Sequence, residues 1–412
     1  MPLTKLRQEA RTEFDLTEKS HLESLDRLVD ELEASGSGPE QLKSDKDDPL
    51  EFRLAGKLVR SRQILKQIDE PLKLGIVFAM WGEQNRLRPK SEDNPNGEDS
   101  LRVKLDQLQR VTENTPIEWK LYAVDDGCPH GSAQLAREMA ANHPRKDSLK
   151  VLELGKAVPT EQGPLAGLEH PDKSRKAGAV ILGAMTALED GADLVMYTDA
   201  DNSVHLGQIG ILLEPYIKRG CRVVLGNRKD PESVLVKQES RWGVGIKTLR
   251  HMQRMVGKAV FSRGILDTQA AFKLYHRDVL RKILESPTVY DFSFDTDWIL
   301  SAIKMEEPFE KVPFAFIDSF AESASITQGP MTTWETLLKG LVKEVRKHGV
   351  EHSEEMAAVL DAEIESYRDL EILLDEVPPQ LENATDKQLG DPSVMSPAEV
   401  KAWIQRCKAK AG

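Results

Sequence analysis

The sequence lacks several features that would place it in a specialised class of protein. Its 412 residues include only three cysteines, Cys128, Cys221 and Cys407, which are too few and too scattered for a disulfide framework or a zinc site. No stretch reaches the roughly 18 apolar residues of a membrane-spanning helix. The first residues also lack the apolar segment of a signal peptide. We therefore expect a cytoplasmic protein with no transmembrane segment.

Positive charge is also scarce. With 56 basic against 68 acidic residues, the formal net charge is -12 and the pI is near 5.4. An acidic surface repels phosphate backbones, so we expect no nucleic-acid partner. The remaining composition, 40% hydrophobic and 30% charged, is that of a globular chain with a sizeable core.

From residue 73, short apolar runs typical of strands alternate with helical stretches. The runs "LGIVFAM" (74–80) and "DLVMYTDAD" (193–201) are examples, and "LRVKLDQLQRV" (101–111) is one of the helical stretches. This alternation predicts βαβ units and a mostly parallel sheet flanked by helices. Residues 1–72 and 330–412 have helical periodicity, so we expect N- and C-terminal helical extensions of an α/β domain at 73–329. The extensions could cover a sheet edge or form a homodimer interface.

Two of the predicted strands end in paired aspartates, Asp125 with Asp126 and Asp199 with Asp201. In an open parallel sheet, ligands bind beyond the carboxyl ends of the strands. Residues i and i+2 of a strand face the same side, so Asp199 and Asp201 can aim at one point. Mg²⁺ or Mn²⁺, held by these carboxylates and by ligand phosphates, would relieve their repulsion. Alternatively, the pair consists of turn and N-cap residues for the next helix.

The chain from residue 74 onward resembles the inverting glycosyltransferases of family 2, which have the Rossmann-like GT-A fold and include polyprenyl-phosphate sugar transferases. The segment with "DTQ" is most similar to dolichyl-phosphate glucosyltransferases, which favours UDP-glucose as the donor and places GDP-mannose second. Eight segments carry the resemblance, in the family's order: "GIVFAMWGEQNRL", "AVDDGCPHGSAQLA", "KAGAVILGAM", "YTDADNS", "VVLGNR", "GILDTQAAFKLYHRDVLRKI", "SFDTDWILSAI" and "EKVPFAF".

This resemblance implies a metal-dependent hexosyltransferase and gives roles to individual residues. Asp199 and Asp201 would hold Mg²⁺ or Mn²⁺ against the two phosphates of a nucleotide-diphosphate sugar, and Lys176 would assist there unless it is a solvated helix residue. Asp125 or Asp126 would accept hydrogen bonds from the base edge. The residues implied to bind the nucleotide sugar are Ala79, Trp81, Glu83, Asp125, Asp126, Lys176, Asp199 and Ala200.

The resemblance also implies roles toward the acceptor for three further residues. Asp297, or Asp295, would act as the base that takes a proton from an acceptor hydroxyl. A phosphate acceptor is already ionised and needs no base, so the two aspartates would then bind or orient it. Arg228 either places positive charge against the acceptor or is a surface turn residue. The acceptor is expected to be a small molecule or a lipid phosphate, and the lack of membrane helices favours a soluble one.

Other interpretations remain open from the sequence. A nucleotidyltransferase would also bind a nucleotide over a parallel sheet, but "MWGEQNRL" has a single glycine where a glycine-rich loop is expected. A non-catalytic nucleotide-sugar-binding protein is the third hypothesis, because Ala79 and Gly82 depart from the family pattern. His348 and His352 have the spacing of a helical metal pair, but the segment "HGVEH" does not have its carboxylate at the position that it has in H-E-x-x-H. We expect both to be structural or solvated.

Overall fold

The computed structural model describes residues 2–237, 245–318 and 330–411. The chain divides into two compact units. The first consists of Met1–Lys237, Ala270–Thr288 and Pro308–Ala321, and the second of Gln238–Gln269, Val289–Glu307 and Glu322–Gly412. Residues 1–72 therefore share a unit with the predicted strands, whereas residues 330–412 belong to the other unit. The domain boundary predicted at residue 72 stays a prediction. The other predicted boundary, at residue 329, lies outside the described residues.

Every strand in the described part of the chain lies in the first unit. Seven strands form one sheet in the order β3-β2-β1-β4-β7-β5-β8, in which β7 alone is antiparallel to its neighbours. The pair β6 and β9 is parallel and separate. The strands are β1 Leu72–Met80, β2 Ile117–Asp125, β3 Leu149–Glu153, β4 Leu194–Thr198, β5 Val223–Gly226, β6 Val234–Val236, β7 Lys273–His276, β8 Phe309–Val312 and β9 Ala315–Ile317.

Helices connect the strands of the first unit and make up most of the second unit. In the first unit they are α1 Leu3–Glu9, α2 Lys19–Ala34, α3 Leu50–Leu65, α4 Ser100–Thr112, α5 Ser132–Ala140, α6 Leu154–Ala157, α7 Ala177–Glu189, α8 Ile209–Arg219 and α11 Arg277–Ile283. In the second they are α9 Ile246–Val256, α10 Lys258–Phe261, α12 Phe294–Lys304, α13 Pro330–His348, α14 Glu354–Glu363, α15 Tyr367–Glu371, α16 Pro379–Glu382 and α17 Pro397–Ala411.

The alternation of β1 side chains places helices on both faces of the sheet. Ile76 and Phe78 belong to one core together with Leu105 of α4. Val77 points to the opposite face, where the backbone of Gly183 in α7 lies against it. The expected α/β fold, a mostly parallel sheet flanked by helices, is confirmed. Because both faces are covered at the centre of the sheet, residues 74–80 of β1 and most of β4 are apolar, which explains these two apolar runs in the sequence.

The N-terminal helices form a second core within the first unit. Leu25 of α2 and Phe52 of α3 pack in the same cluster as Val234 of β6 and Ile317 of β9. Helix α3 also contacts α8, and Ser61 Oγ accepts a hydrogen bond of 2.8 Å from the Gly210 backbone N–H. Residues 1–72 therefore cover the β6–β9 pair and one side of α8.

In residues 2–237, 245–318 and 330–411, no helix is both long enough and apolar enough to span a lipid bilayer.

We predict that Gly183→Ala destabilises the first unit. A Cβ atom at this position would lie 2.4 Å from Val77 Cγ1 and 3.0 Å from Val124 Cγ2, so α7 would have to move away from the sheet. The free energy of unfolding, measured in urea, should fall by about 1–3 kcal/mol. Gly38→Ala is the matched control, because nothing lies within 4 Å of a Cβ atom there. Equal stabilities of the two variants would show that α7 does not pack this closely.

Candidate active site

The carboxyl ends of β2, β1 and β4 lie side by side in the sheet. Met80 is opposite Asp125 in the register of β1 and β2, and Phe78 is opposite Thr198 in the register of β1 and β4. The next residues of each chain segment therefore meet at one edge. The structure gathers there the whole predicted donor set: Ala79, Trp81, Glu83, Asp125, Asp126, Lys176, Asp199, Ala200 and Asp201.

The two aspartates at the end of β2 hold the backbone of the segments that follow. Asp125 accepts hydrogen bonds from the backbone N–H groups of Cys128 at 2.7 Å and Ala133 at 3.1 Å, which fixes the turn into α5. Asp126 accepts from the Ser174 hydroxyl and from the Lys176 backbone N–H at 2.7 Å. Burial raises the pKa of Asp126 to about 6. The two carboxylates therefore hold the turns and segments that follow β2, and a role toward a nucleoside stays a prediction.

Lys176 connects the end of β2 with the end of β4. Its backbone N–H is bound by Asp126, and its ammonium group forms an ion pair with Asp199. Its φ angle of 75° is unusual for a residue with a side chain and is typical of positions that the surroundings hold in place. Burial alone would raise the pKa of Asp199, but the charge of Lys176, and then those of Arg228 and Lys104, hold that pKa below its usual value.

Asp199, Ala200 and Asp201 lie in the turn after β4, which ends at Thr198. The period of two that applies inside a strand therefore does not set their directions. Asp201 Oδ1 accepts a hydrogen bond of 3.0 Å from the Ser203 backbone N–H, and Ala200 is buried. The Asp201 backbone carbonyl accepts a hydrogen bond from the ammonium group of Lys104. One carboxylate is thus paired with a lysine and the other caps its own turn.

A buried ionic network lies behind this turn, and the sequence analysis missed it. Arg86 Nη1 is 3.0 Å from Glu83 Oε2, and Arg86 Nε is 3.1 Å from Glu98 Oε1. Glu98 Oε2 accepts a hydrogen bond of 2.8 Å from the backbone N–H of Asn202, next to Asp201. Burial raises the pKa of Glu98 to about 7, and the charge of Asp201 acts in the same direction. The spacing of Glu83 and Arg86, three residues apart in one turn, was the available sequence signal.

Lys104 is a further residue that the sequence analysis missed. It is fully buried in α4, where burial lowers its pKa, and it donates to the Asp201 carbonyl. Its ammonium group also lies 5.8 Å from the centre of the Phe78 ring. A buried lysine needs a nearby acceptor or carboxylate. The sequence signal was a lysine within the apolar face of an otherwise amphipathic helix.

Trp81 is a large aromatic side chain that follows the carboxyl end of β1. It is 39% exposed and contacts His130, from the turn after β2, edge to face with 6.2 Å between ring centroids. Ala79, two residues earlier, is half-buried beside β2. Cys128 Sγ accepts hydrogen bonds from the backbone of Gly82 at 3.2 Å and of His130 at 3.3 Å, so this cysteine holds the two turns together.

Arg228 follows β5 in the same unit. Its guanidinium carbon lies 5.1 Å from the centre of the Phe316 ring, and its charge lowers the pKa of Asp199. The side chain is half-buried. Arg228 is therefore part of the positive charge that acts on the end of β4.

The two predicted base candidates, Asp295 and Asp297, belong to the second unit and lie in the first turn of α12. Both are buried. Asp297 Oδ1 is 2.7 Å from His348 Nε2 and 3.2 Å from Lys347 Nζ, both at the end of α13. His348 thus has a structural partner, as expected.

Glu344 lies one turn before Lys347 in α13 and is completely buried. Burial raises its pKa well above the usual value, and the charge of Asp297 adds to this. A buried carboxyl therefore lies beside the Asp297–His348 pair.

The candidate site offers few protein side chains that could bind a metal ion. No cluster of three or more histidine, cysteine, aspartate or glutamate side chains with the geometry of a metal site occurs in the described ranges. Asp199 and Asp201 offer oxygen ligands, which is the chemistry that Mg²⁺ and Mn²⁺ prefer. A metal ion held here would need further ligands from outside the protein.

Comparison with known proteins identifies the class. Residues 96–284 match the family model described as glycosyl transferase family 2. The undecaprenyl-phosphate mannosyltransferase of Micrococcus luteus is 26% identical over 212 residues, which is 51% of this chain and 76% of the relative. The dolichyl-phosphate beta-glucosyltransferase of Drosophila melanogaster is 24% identical over 251 residues, 59% of this chain and 67% of the relative.

Among solved structures, the mannosyl-3-phosphoglycerate synthase of Rubrobacter xylanophilus is similar with a TM-score of 0.46 and 15% identity, over 72% of this chain and 80% of that one. The sequence comparisons confirm the resemblance to family 2. Residues 96–284 therefore resemble family 2, and the chain is a glycosyltransferase that uses a sugar-nucleotide donor.

We predict that Glu98 makes stability depend on pH. Its pKa is about 7 in the native protein against an ordinary 4.5, so the unfolded chain loses this proton at lower pH. The free energy of unfolding should therefore fall as pH rises from about 4.5 to about 7, by about 3 kcal/mol relative to Glu98→Gln, which cannot ionise. Urea unfolding at several pH values without divalent metal measures this difference. The exposed Glu92→Gln should show no such pH dependence, and a flat difference for Glu98→Gln would contradict the network.

Proposed function

We propose that this family 2 glycosyltransferase transfers a hexose from UDP-glucose, with GDP-mannose as the second choice of donor, in a reaction that needs Mg²⁺ or Mn²⁺ and inverts the anomeric carbon. The single observation that carries the proposal is the paired arrangement after β4. Asp199 is held by a lysine and Asp201 lies two residues on, at the edge where β1, β2 and β4 end. Ligands of open parallel sheets bind at such edges.

The residues present fit a divalent metal that the donor completes. Two carboxylates in one turn supply hard oxygen ligands, and the donor phosphates would supply the rest. When bound, the metal ion would neutralise charge on the departing diphosphate. Lys176, already at Asp199, would lie next to the same phosphates and add positive charge. Arg86 and Lys104 balance the carboxylates from behind, which keeps Asp201 in place.

The nucleoside would bind beside the ends of β1 and β2. Trp81 offers an exposed ring on which a base can stack, and its contact with His130 orients it. Asp125 and Asp126 bind backbone N–H groups with their carboxylates, so the turns that form this pocket are rigid. Glu83, paired with Arg86, would shape the pocket rather than contact the base.

The acceptor we propose carries a phosphate group. The named relatives act on undecaprenyl phosphate and dolichyl phosphate, which share that group. An ionised phosphate oxygen attacks the anomeric carbon without a base, the bond to the diphosphate oxygen breaks, and the diphosphate leaves with the electron pair. Arg228 would bind the acceptor phosphate. A role toward the acceptor of Asp297, which belongs to the second unit and contacts His348 and Lys347, stays a prediction. A soluble acceptor, a cytoplasmic location and a homodimer stay predictions.

We predict that UDP with Mn²⁺ stabilises the protein and that UDP with EDTA does not. A ligand at about 100 times its dissociation constant adds about 2.7 kcal/mol, which a thermal midpoint readily detects. In Asp201→Asn the metal-dependent stabilisation by UDP should vanish, while the free energy of unfolding without ligand changes by about 1 kcal/mol or less. Glu189→Gln, an exposed acid at the far end of α7, is the control and should respond like the unchanged protein.

Two outcomes of this experiment would change the proposal. Stabilisation by GDP instead of UDP would make GDP-mannose the donor. If neither nucleotide stabilises the protein with or without metal, the aspartates after β4 serve only as turn and capping residues.

We also predict that Arg228→Met weakens binding of the acceptor and not binding of the donor. Loss of a charged contact to phosphate should raise the KM for a sugar-phosphate or lipid-phosphate acceptor by about tenfold or more, because such charge-assisted bonds contribute about 1.5–3 kcal/mol. The KM for UDP-glucose should change little. Steady-state kinetics of UDP release measures both constants, with the exposed neighbour Lys229→Met as the control. An unchanged acceptor KM would leave Arg228 as a surface turn residue.

A further inference from the structure

The first unit contains a second cleft, on the side of α4 that faces the N-terminal helix α2. It has a volume of about 680 Å³, within the range of small-molecule sites. Its walls come from α2, from the loop 89–99, from α4 and from His205. None of the residues assigned above to the nucleotide sugar lines it, so its occupant is a separate question from that of the donor.

The inner wall of this cleft includes a buried side-chain amide whose oxygen is hydrogen-bonded and whose nitrogen is not. Gln107 is 7% exposed, and its Oε1 accepts a hydrogen bond of 2.8 Å from the Leu206 backbone N–H. That contact fixes which end of the amide is oxygen and which is nitrogen. The Nε2 group is buried and has no hydrogen-bond partner in the described part of the chain. A buried donor without a partner costs free energy, so it marks a place for an acceptor.

His205 supplies a second donor on the same wall. Its Nδ1 accepts a hydrogen bond of 3.0 Å from the Gly207 backbone N–H. Burial lowers the pKa of His205 to about 3, so the ring is neutral at working pH. In a neutral ring whose Nδ1 accepts, the proton is on Nε2, which is therefore a donor. Two neutral donors on a buried wall favour a hydroxyl or carbonyl oxygen.

The outer part of the cleft has the opposite character. Seven of its lining residues are acidic and three are basic. All three basic side chains pair with lining carboxylates. Lys90 Nζ is 2.6 Å from Glu18, Arg110 Nε is 2.9 Å from Asp26, and Lys19 Nζ is 3.9 Å from Glu23. Glu23 and Glu92 are exposed at the rim. Such a rim repels phosphates and carboxylates and attracts an ammonium group.

Between the two regions the cleft has apolar walls. Leu22 of α2 and Val103 of α4 line it, together with Pro89 and Pro95. Methylene groups fit such walls, whereas a bare metal ion does not need them. The size of the cleft and its apolar walls therefore point to an organic molecule rather than an inorganic cation.

We propose that this cleft binds a small organic amine that also carries a hydroxyl or carbonyl group. The oxygen would accept from Gln107 and His205 on the inner wall, the carbon chain would lie against Leu22 and Val103, and the ammonium group would lie among the rim carboxylates. The occupant is thus an amino alcohol or a related molecule of single positive charge, and it binds without nucleotide or metal.

A matched series of five-carbon probes tests each part of this assignment. The series is 5-amino-1-pentanol, pentylamine, pentane-1,5-diol and 5-hydroxypentanoate, titrated into the full chain in EDTA by calorimetry. The amino alcohol should bind most tightly. Pentylamine, which lacks the hydroxyl, and pentane-1,5-diol, which lacks the charge, should each have a dissociation constant about tenfold higher, a difference of 1.4 kcal/mol. The anion should not bind. Because no nucleotide or metal is present, the result is independent of the proposed transferase function.

Two sets of variants place the probe in the cleft. Glu23→Gln with Glu92→Gln should weaken the amino alcohol and pentylamine alike, whereas Glu13→Gln with Glu31→Gln, the same charge change at exposed positions outside the cleft, should not. Gln107→Leu should weaken binding of the amino alcohol part of the way toward that of pentylamine, because His205 still donates, and should leave binding of pentylamine unchanged. This double-mutant cycle isolates the contact between the hydroxyl and Gln107.

The following results would overturn the proposal. One is equal binding of all four probes, or of none at millimolar concentration. Another is equal weakening of the amino alcohol and pentylamine by Gln107→Leu. A third is tight binding of Mg²⁺ alone that Glu23→Gln with Glu92→Gln abolishes, which would make the cleft an inorganic cation site.

Discussion

Carboxylates gathered where parallel strands end repel one another, and the rest of the first unit is arranged around the positive charge that offsets this repulsion. Lys176 holds Asp199 from the side of α7, and Lys104 holds the turn around Asp201 from the side of α4. Arg86 connects Glu83 and Glu98 behind that turn. Arg86 and Lys104 lie between β1 and β2, and Lys176 lies between β3 and β4, so the edge forms only when β1, β2 and β4 are correctly paired.

The fold could be predicted from the sequence because both faces of the sheet are covered. Covered strands are continuous apolar runs, and β1 and β4 were therefore visible without any alignment. The antiparallel strand β7 was not visible in this way, because "KLYH" is short and a strand of four residues carries no direction in its pattern. The helical character of both ends of the chain was also clear from periodicity. Their assignment to different compact units was not, because it depends on contacts between residues far apart in the sequence.

The candidate site was predictable as far as residue type and strand position go. Paired aspartates after an apolar run are unusual enough to be noticed, and the structure places those of β2 and β4 at one edge. Their hydrogen bonds were not predictable, because which carboxylate caps a turn and which pairs with a lysine depends on backbone geometry beyond the strand. Lys104 and Glu98 were missed for a related reason. A charged residue looks solvated in a sequence, and only its burial beside an opposite charge shows otherwise.

The central claim is that the turn after β4 holds a metal ion between the protein and a nucleoside diphosphate. The most direct test is a crystal of the protein with UDP and Mn²⁺, measured at a wavelength where manganese scatters anomalously. The account predicts an anomalous peak within coordination distance, about 2.2 Å, of a carboxylate oxygen of Asp199 or Asp201 and of diphosphate oxygens. The Lys176 ammonium group should lie beside the same phosphates. A peak elsewhere, or UDP bound away from the ends of β1, β2 and β4, would contradict it.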